Sequence, residues 1–251
     1  VQWPMVDVPV TTAGHTGSVK VSSDVFAIGE PGDFVRLPLT NITGQRILNL
    51  TGSLYPTRKL SKAIWEAAEL KLEPQALVNR GPNLVQFASH SKKIDSQLSG
   101  PIGSLVAGHK KDVVISNIWK PGLVVIYGWH CSGTKTGACA KLARGEAIQP
   151  LFNHHDDNWV DYSHGMRSVA PTMTVDGQTM RTEDVLRDPI LSGLLSDEGP
   201  LKMVRYPTPG STSPGSIPGS SEGPVASNRG LRGVYTLGLD AALALASHGR
   251  F

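Results

Sequence analysis

Four short segments rich in β-branched residues follow one another after Gly108: DVVIS, LVVIYGW, IQPLF and the run from 159 to 175. Segments of this length and composition, separated by turn pairs such as Pro121-Gly122 and Asp176-Gly177, predict strands. Near the start of the chain, SVKVS and FVRLPL alternate apolar and polar residues and also predict short strands. We therefore expect an α+β fold, with helices packed on a mainly antiparallel sheet.

The helices of this fold are predicted by apolar spacing and by capping residues. Residues 57–70 give the clearest pattern, because apolar side chains recur at helical intervals and Thr57 can cap the first turn. Residues 83–98 form a second pattern of this kind. Residues 40–50 predict a short helix capped by Thr40 or Asn41, and residues 182–195 predict one or two short helices broken at Asp188-Pro189.

The end of the chain has a different composition. Residues 207–224 consist almost entirely of Pro, Gly, Ser and Thr, which cannot bury a core and predict a linker. Residues 225–251 then form a tail with the Ala/Leu-rich stretch LGLDAALALASHG. We predict a single globular domain over 1–206, a Pro/Gly/Ser-rich C-terminal extension, and a tail through which the chain could self-assemble with its neighbours.

Composition excludes some partners. The chain has 251 residues, of which 39% are hydrophobic, so it can bury a core. Its net charge of +3 comes from 24 basic and 21 acidic residues, with no basic block interleaved with aromatics, so nucleic acid is not an expected partner. No apolar run approaches the roughly 20 residues that cross a bilayer.

Two features predict export. Cys131 and Cys139 flank the short segment SGTKTGA, which can close into a disulfide; two buried free thiols are the alternative. Asn41 and Asn49 each begin an Asn-x-Thr sequon, which predicts glycosylation in a eukaryotic secretory pathway. The start at Val1, without Met, fits a processed protein. We therefore expect a secreted, extracellular glycoprotein.

Polar chemistry gathers in the middle of the chain, where six of the eight histidines lie between His90 and His164. His130 ends the apolar strand LVVIYGW, and a rigid strand can hold a general acid or base in a cleft; a solvent-facing strand edge is the alternative. His90 is expected to be a core histidine. In AGHKKDVV, the first residues are expected to be a solvated strand start, although a lysine there could enter the same cleft.

The segment from Asp161 to Arg167 places Asp, Ser, His and Arg around a glycine. Ser163 and His164 point to opposite faces of an ideal strand, so they cannot simply form a nucleophile–base pair. We expect Ser163 or Asp161 to pair instead with a histidine from another strand, such as His130 or His155. Arg167 could bind a substrate carboxylate or an oxyanion; a structural ion pair with Asp161 is the alternative. The predicted catalytic residues are His130, Asp161, Ser163 and His164, and the predicted substrate contacts are Lys111, Tyr127, Trp129, Tyr162 and Arg167.

The cluster HHDD at 154–157 contains ligand types that zinc prefers, although an exposed polar turn has the same composition. No complete ligand motif is present, so no cofactor is favoured, and zinc is the alternative.

The leading functional hypothesis is a secreted hydrolase acting on an extracellular or cell-wall polymer. A non-enzymatic carbohydrate-binding or surface-assembly protein, with its aromatic residues as stacking platforms, is the second hypothesis, and a zinc-dependent hydrolase is the third. The zinc ligands would come from His130, His155, Asp157 and His164.

Several segments between about residues 26 and 206, including VAGHKKDVVIS, VVIYGWH and WVDYSHGMR, resemble a group of largely uncharacterised exported bacterial proteins. This resemblance implies a single domain that ends near Tyr206, followed by an addition. Ser163-His164-Gly165 with Arg167 is also similar to the SHGC-x-R motif of L,D-transpeptidases, which implies cell-wall chemistry. Met166 stands where that motif has its nucleophilic cysteine, so the activity does not transfer.

Overall fold

The structure is a computed structural model, which describes residues 2–78 and 83–209, and these lie in one compact unit. Its helices and mainly antiparallel strands confirm the predicted α+β class. Of the predicted linker, 207–209 are described; the remainder and the tail lie outside the described residues.

The helices are α1 (Asn41–Leu50), α2 (Arg58–Ala67), α3 (Leu84–Asp95) and α4 (Thr182–Arg187). The strands are β1 (Met5–Thr12), β2 (His15–Ser22), β3 (Ala27–Glu30), β4 (Asp33–Arg36), β5 (Leu70–Lys71), β6 (Val106–Ala107), β7 (Lys111–Val113), β8 (Leu123–His130), β9 (Ala147–Asp156), β10 (His164–Gly165), β11 (Val169–Val175) and β12 (Gln178–Arg181).

Two four-stranded sheets form the framework. The first has the order β1-β2-β11-β12 and is antiparallel throughout. The second has the order β10-β7-β8-β9, in which only the short β10–β7 pairing is parallel. Buried valines such as Val8 and Val19, which face each other in register, alternate with exposed residues along β1 and β2. They join one hydrophobic core with the inner residues of β7 and β8.

The long strand run predicted over 159–175 is interrupted. Only β10 and β11 form there, because Asp161 and Ser163 make a turn in which Asp161 Oδ1 accepts a hydrogen bond from Ser163 N at 2.7 Å. The strand β1 was not predicted. Its proline at position 9 lies on an edge strand, where the missing N–H removes no ladder bond from a central position.

The glycosylation prediction at Asn41 conflicts with the fold. Asn41 is 1% exposed, and its Nδ2, the atom that would carry the glycan, donates to Asp157 Oδ1 at 2.7 Å. A glycan at this position would have to pass through the packed interior, so this prediction is wrong for the folded chain. Asn49 is partly buried, and its Oδ1 accepts from Gln45 and Arg205.

Helix α2 begins where its sequence predicts. Thr57 Oγ1 accepts from Leu60 N at 3.0 Å and also donates to the Leu195 carbonyl, so one hydroxyl caps the helix and ties it to a distant turn. We expect Thr57→Ala to lower the free energy of unfolding by about 1–2 kcal/mol. Urea denaturation measures this, with Thr57→Ser as the control that keeps the hydroxyl. A loss equally large in Thr57→Ser would mean that the methyl group, not the cap, matters.

Candidate functional site

The candidate site is built where β10 pairs with β7. His164 lies opposite Lys111, and Lys111 N donates to Ser163 O at 2.7 Å. Residues in register on adjacent strands project to the same side, so this pairing brings the two side chains together. Gly165 permits the close approach, because a Cβ there would lie 2.7 Å from Val25 Cγ1 and 3.0 Å from Lys110 Cβ.

The Asp161 carboxylate lies at the centre of this arrangement. Its Oδ1 accepts from both the backbone N and the hydroxyl of Ser163. Its Oδ2 lies 3.9 Å from His164 Nε2 and 4.0 Å from Lys111 Nζ, and its side chain is 16% exposed. Burial raises the pKa of Asp161, but His164, Lys111 and the Ser163 hydrogen bonds outweigh it and lower the pKa below its usual range. We call Lys111, Asp161, Ser163 and His164 the Asp161 cluster.

His164 is the most unusual member of the Asp161 cluster. It is 1% exposed, and neither ring nitrogen has a hydrogen-bond partner among the described residues. Burial lowers its pKa to about 4, although the attraction to Asp161 opposes that shift, so the ring is neutral at pH 7. An unpaired buried polar group costs about 1–3 kcal/mol, and such a group is typical of a functional position or of a site for ordered water.

Two further side chains border the cluster. Lys111 Nζ lies 5.1 Å from the centroid of the Trp129 ring, a cation–π distance. His155 stacks on the exposed Trp159 ring, with 4.6 Å between centroids and 11° between planes. Burial lowers the pKa of His155, while Asp161 acts to raise it. His155 is therefore close enough to interact electrostatically with the Asp161 cluster.

His130 lies elsewhere. Its ring packs 5.9 Å from Trp65 of α2 and 5.4 Å from Tyr127, and it is 3% exposed. Burial lowers its pKa to about 4, followed by repulsion from Lys62. Within the described residues, no hydrogen bond joins His130 to Asp161 or Ser163. The structure therefore does not form the predicted pairing of His130 with the 161–167 segment.

Three of the predicted substrate contacts are buried. Trp129 and Tyr162 are 6% and 4% exposed and pack with Phe87, which argues against a role as stacking platforms. Arg167 is 1% exposed and donates to the carbonyls of Ser22 and Val106 at 2.6 and 2.7 Å. It thus links β2 to β6, and neither the predicted substrate role nor the alternative ion pair with Asp161 is formed. Tyr127 is half-buried.

The predicted zinc ligands do not converge. Within the described part of the chain, Glu73, Cys131 and Cys139 are the only group whose ligand atoms lie close enough for one metal ion. The set of His130, His155, Asp157 and His164 is therefore wrong as a metal site. Cys131 and Cys139 form the predicted disulfide.

The structure contains a buried network of charged groups that the sequence did not predict. Asp24 accepts from Arg36 Nε at 2.9 Å and Nη2 at 2.7 Å, and its Oδ1 lies 2.9 Å from His109 Nε2. Burial would raise the pKa of Asp24, but His109 and Arg36 hold it well below its usual range. His109 and Lys110 are 1% and 4% exposed, so the expected solvated strand start is wrong.

Lys110 occupies a second buried position, next to this network. Its Nζ donates to His90 Nδ1 at 3.0 Å and to the Tyr162 carbonyl, and burial lowers its pKa to about 7. His90 is fully buried, as expected of a core histidine. In an ideal strand, the side chains of His109 and Lys110 would point to opposite faces of the sheet. The sequence does not show that other parts of the chain pack on both faces and bury both side chains.

We expect the protein to lose stability as the pH falls from about 6.5 to 4. Burial lowers the pKa of His109, His130 and His164 to about 4, and that of His90 to about 2, from the ordinary value of 6.5. In this pH range the unfolded chain therefore binds protons that the folded chain does not. The free energy of unfolding then decreases by about 1.4 kcal/mol per pH unit for each such histidine. Urea denaturation between pH 7 and 4.5 measures the slope.

The control for this prediction is His164→Gln, which removes one of these titrations and should make the slope shallower by about 1.4 kcal/mol per pH unit. A free energy of unfolding that stays constant between pH 6.5 and 5 would contradict the burial of neutral imidazoles. Lys110 acts in a separate range: its lowered pKa makes stability rise with pH above about 7.

No protein-family model, curated protein or solved structure matches the chain. No helix among the described residues is long and apolar enough to cross a membrane.

Proposed function

We propose that the chain is a secreted hydrolase that acts on an extracellular or cell-wall polymer, with the Asp161 cluster as its catalytic centre. One observation carries this proposal. Asp161 Oδ2 belongs to a partly exposed carboxylate. It lies 3.9 Å from Nε2 of the buried, neutral His164 ring and 4.0 Å from the Lys111 ammonium group. These separations are too long for hydrogen bonds and suit a water bridged between the groups.

The chemistry follows from the charges of these groups. Asp161, with its lowered pKa, is ionised at neutral pH and can accept a proton from a water as its oxygen attacks the substrate. His164, neutral and unpaired, can orient that water through a ring nitrogen. Lys111 can stabilise the negative charge that develops on the substrate. The proton taken by Asp161 is then available to the leaving group.

Ser163 has a positioning role in this proposal. Its N–H and hydroxyl both donate to Asp161 Oδ1, which fixes the carboxylate and directs Oδ2 towards His164 and Lys111. The hydroxyl already donates to Asp161, and no histidine among the described residues accepts from it. A serine nucleophile is therefore less well supported than an activated water.

A polymeric substrate is favoured by the surroundings of the cluster. Trp159 is 45% exposed and stacks by one face on His155, which interacts with Asp161. In this proposal a sugar ring lies on the opposite face of the indole. The disulfide suits an oxidising compartment, where such polymers are found.

The test is a screen of purified chain against a panel of polymers, including peptidoglycan, chitin, other polysaccharides and proteins. New reducing ends and new amines are the two readouts, since they distinguish glycoside from amide cleavage. The wild type should release one type of product from at least one polymer. The double variant Asp161→Asn/His164→Gln, checked for folding by circular dichroism, should release none. Equal release by the variant, or no release by the wild type from any polymer, would refute the proposal.

A further inference from the structure

The carboxylate of Glu73, which is not part of the Asp161 cluster, lies beside the disulfide. Glu73 follows β5, and its Oε2 accepts from the backbone N of Ser132 at 2.9 Å and from the Ser132 hydroxyl. Its Oε1 is buried without a hydrogen-bond partner among the described residues, and the whole residue is 9% exposed. A buried carboxylate oxygen in this state costs free energy unless a cation or a donor reaches it.

The neighbours of this carboxylate are two sulfur atoms. A Glu73 carboxylate oxygen and the Sγ atoms of Cys131 and Cys139 all lie within 4.8 Å of one another. Cys131 and Cys139 are 0% and 2% exposed. A disulfide has no proton to donate, so while the bond is intact the sulfurs leave Oε1 unsatisfied.

The backbone permits the sulfurs to separate. Cys131 is fixed, because its N–H donates to Glu146 O at 2.9 Å beside the end of β8. Cys139 lies in the one-turn 3-10 helix Gly137–Cys139, reached through an exposed segment in which Gly133 and Gly137 have φ of 107° and 53°. Glycine adopts such conformations without strain, so the Cys139 side is the more adaptable of the two.

We propose that the reduced chain binds one thiophilic divalent cation, of which zinc is the best fit, through the thiolates of Cys131 and Cys139 and through Glu73. A two-electron reductant such as a dithiol cleaves the S–S bond and is itself oxidised to a disulfide, which leaves two thiols. The cation displaces both thiol protons and binds the two thiolates and the carboxylate, with a water in the fourth position. The disulfide and the metal site are then alternative states of the same two sulfurs.

Zinc fits this donor set because it takes thiolate and carboxylate ligands in tetrahedral geometry. With Zn–S bonds of about 2.3 Å, the two sulfurs would lie about 3.8 Å apart, so only the adaptable Cys139 side needs to move. The proposal does not depend on the hydrolase function, since none of these residues belongs to the Asp161 cluster.

The experiment uses the full chain in two redox states, without oxygen. A phosphine reductant is preferred for the test, because a dithiol would itself chelate the metal. Cobalt(II) is titrated first, since thiolate coordination gives it a charge-transfer absorption, and zinc is then titrated in competition. The reduced wild type should bind one equivalent of cobalt, and one equivalent of zinc should displace it. The oxidised protein should bind neither metal.

Glu73→Gln separates a three-ligand site from a simple dithiol site. This variant keeps the shape of the side chain and should weaken zinc binding at least tenfold, whereas Glu146→Gln, a neighbouring exposed carboxylate, should leave it unchanged. Absence of binding by the reduced wild type, or equal affinity in Glu73→Gln, would overturn the proposal. If the reduced apoprotein unfolds, zinc should raise the thermal midpoint of wild type and not of Cys131→Ser, and a failure to do so also overturns it.

Discussion

Replacement of Asp24 by Ala is expected to lower the free energy of unfolding by about 3–5 kcal/mol, the cost of leaving a buried charge without its buried partner. Arg36, which is 1% exposed, donates to Asp24 through two of its nitrogens, and the fully buried His109 also contacts this carboxylate. Without Asp24, the guanidinium group keeps its charge in the interior, because arginine is not deprotonated at accessible pH. The imidazole loses a hydrogen bond at the same time.

Urea denaturation of matched variants tests this expectation. Asp95→Ala is the control, because Asp95 also pairs with Arg36, at 2.5 Å, but its side chain is 37% exposed. An ion pair with an exposed partner contributes about 0–1 kcal/mol, so the control should cost much less than Asp24→Ala. Similar losses in the two variants, or a loss below about 1 kcal/mol for Asp24→Ala, would show that the buried pair does not hold β4 in place.

The helices were predictable because their signals are local. Thr40, Thr57 and Asn83 each accept a hydrogen bond from the first turn of the helix that follows. Thr and Asn are typical helix N-caps, so the start of each helix can be predicted from the sequence alone. The apolar spacing from residue 57 onward likewise fixes which face of α2 is buried. Tertiary contacts shift only the ends, where α2 stops at Ala67 rather than at residue 70.

The candidate site was predictable only in part, for the same reason. The turn from Asp161 to Ser163 is local, and its residues were identified from sequence as a functional segment. Lys111 was also predicted, as a substrate contact, but its pairing with His164 was not. That pairing joins two very short parallel strands, which leave no periodic signal in the sequence. In the buried network, Asp24 and His109 lie 85 residues apart, and a single sequence gives no information on such contacts.

His130 shows where strand alternation fails. Gly128 and Trp129 have φ of 114° and 62°, so the end of β8 leaves the extended conformation just before the histidine. Beyond this irregularity, the two-residue alternation of an ideal strand no longer predicts the direction in which a side chain points. The same irregularity turns the Trp129 ring into the cluster with Tyr162 and places His130 against α2.

Asp161→Asn is expected to lower kcat/KM for the polymer identified in the screen by about 10²–10⁴-fold, the usual contribution of a positioned general base. An amide keeps the size of the side chain and can still accept at one oxygen from Ser163, so the fold should be preserved. It cannot accept a proton from water at neutral pH. The loss should therefore appear mainly in kcat, because the proposal gives Asp161 a role in the reaction rather than in substrate binding.

Ser163→Ala is the matched comparison, since it removes one hydrogen bond to the same carboxylate and leaves the base in place. It should reduce kcat by a smaller factor, and the residual activity should still disappear when Asp161→Asn is added. If Ser163 were instead the nucleophile, Ser163→Ala would be as inactive as Asp161→Asn, and a covalent intermediate would give a burst of the first product in the wild type. An equal loss of kcat in both variants, together with a burst, would show that Ser163 and not an activated water is the nucleophile. Full activity in Asp161→Asn would remove the Asp161 cluster from the chemistry, because Asp161 is the only carboxylate in the cluster.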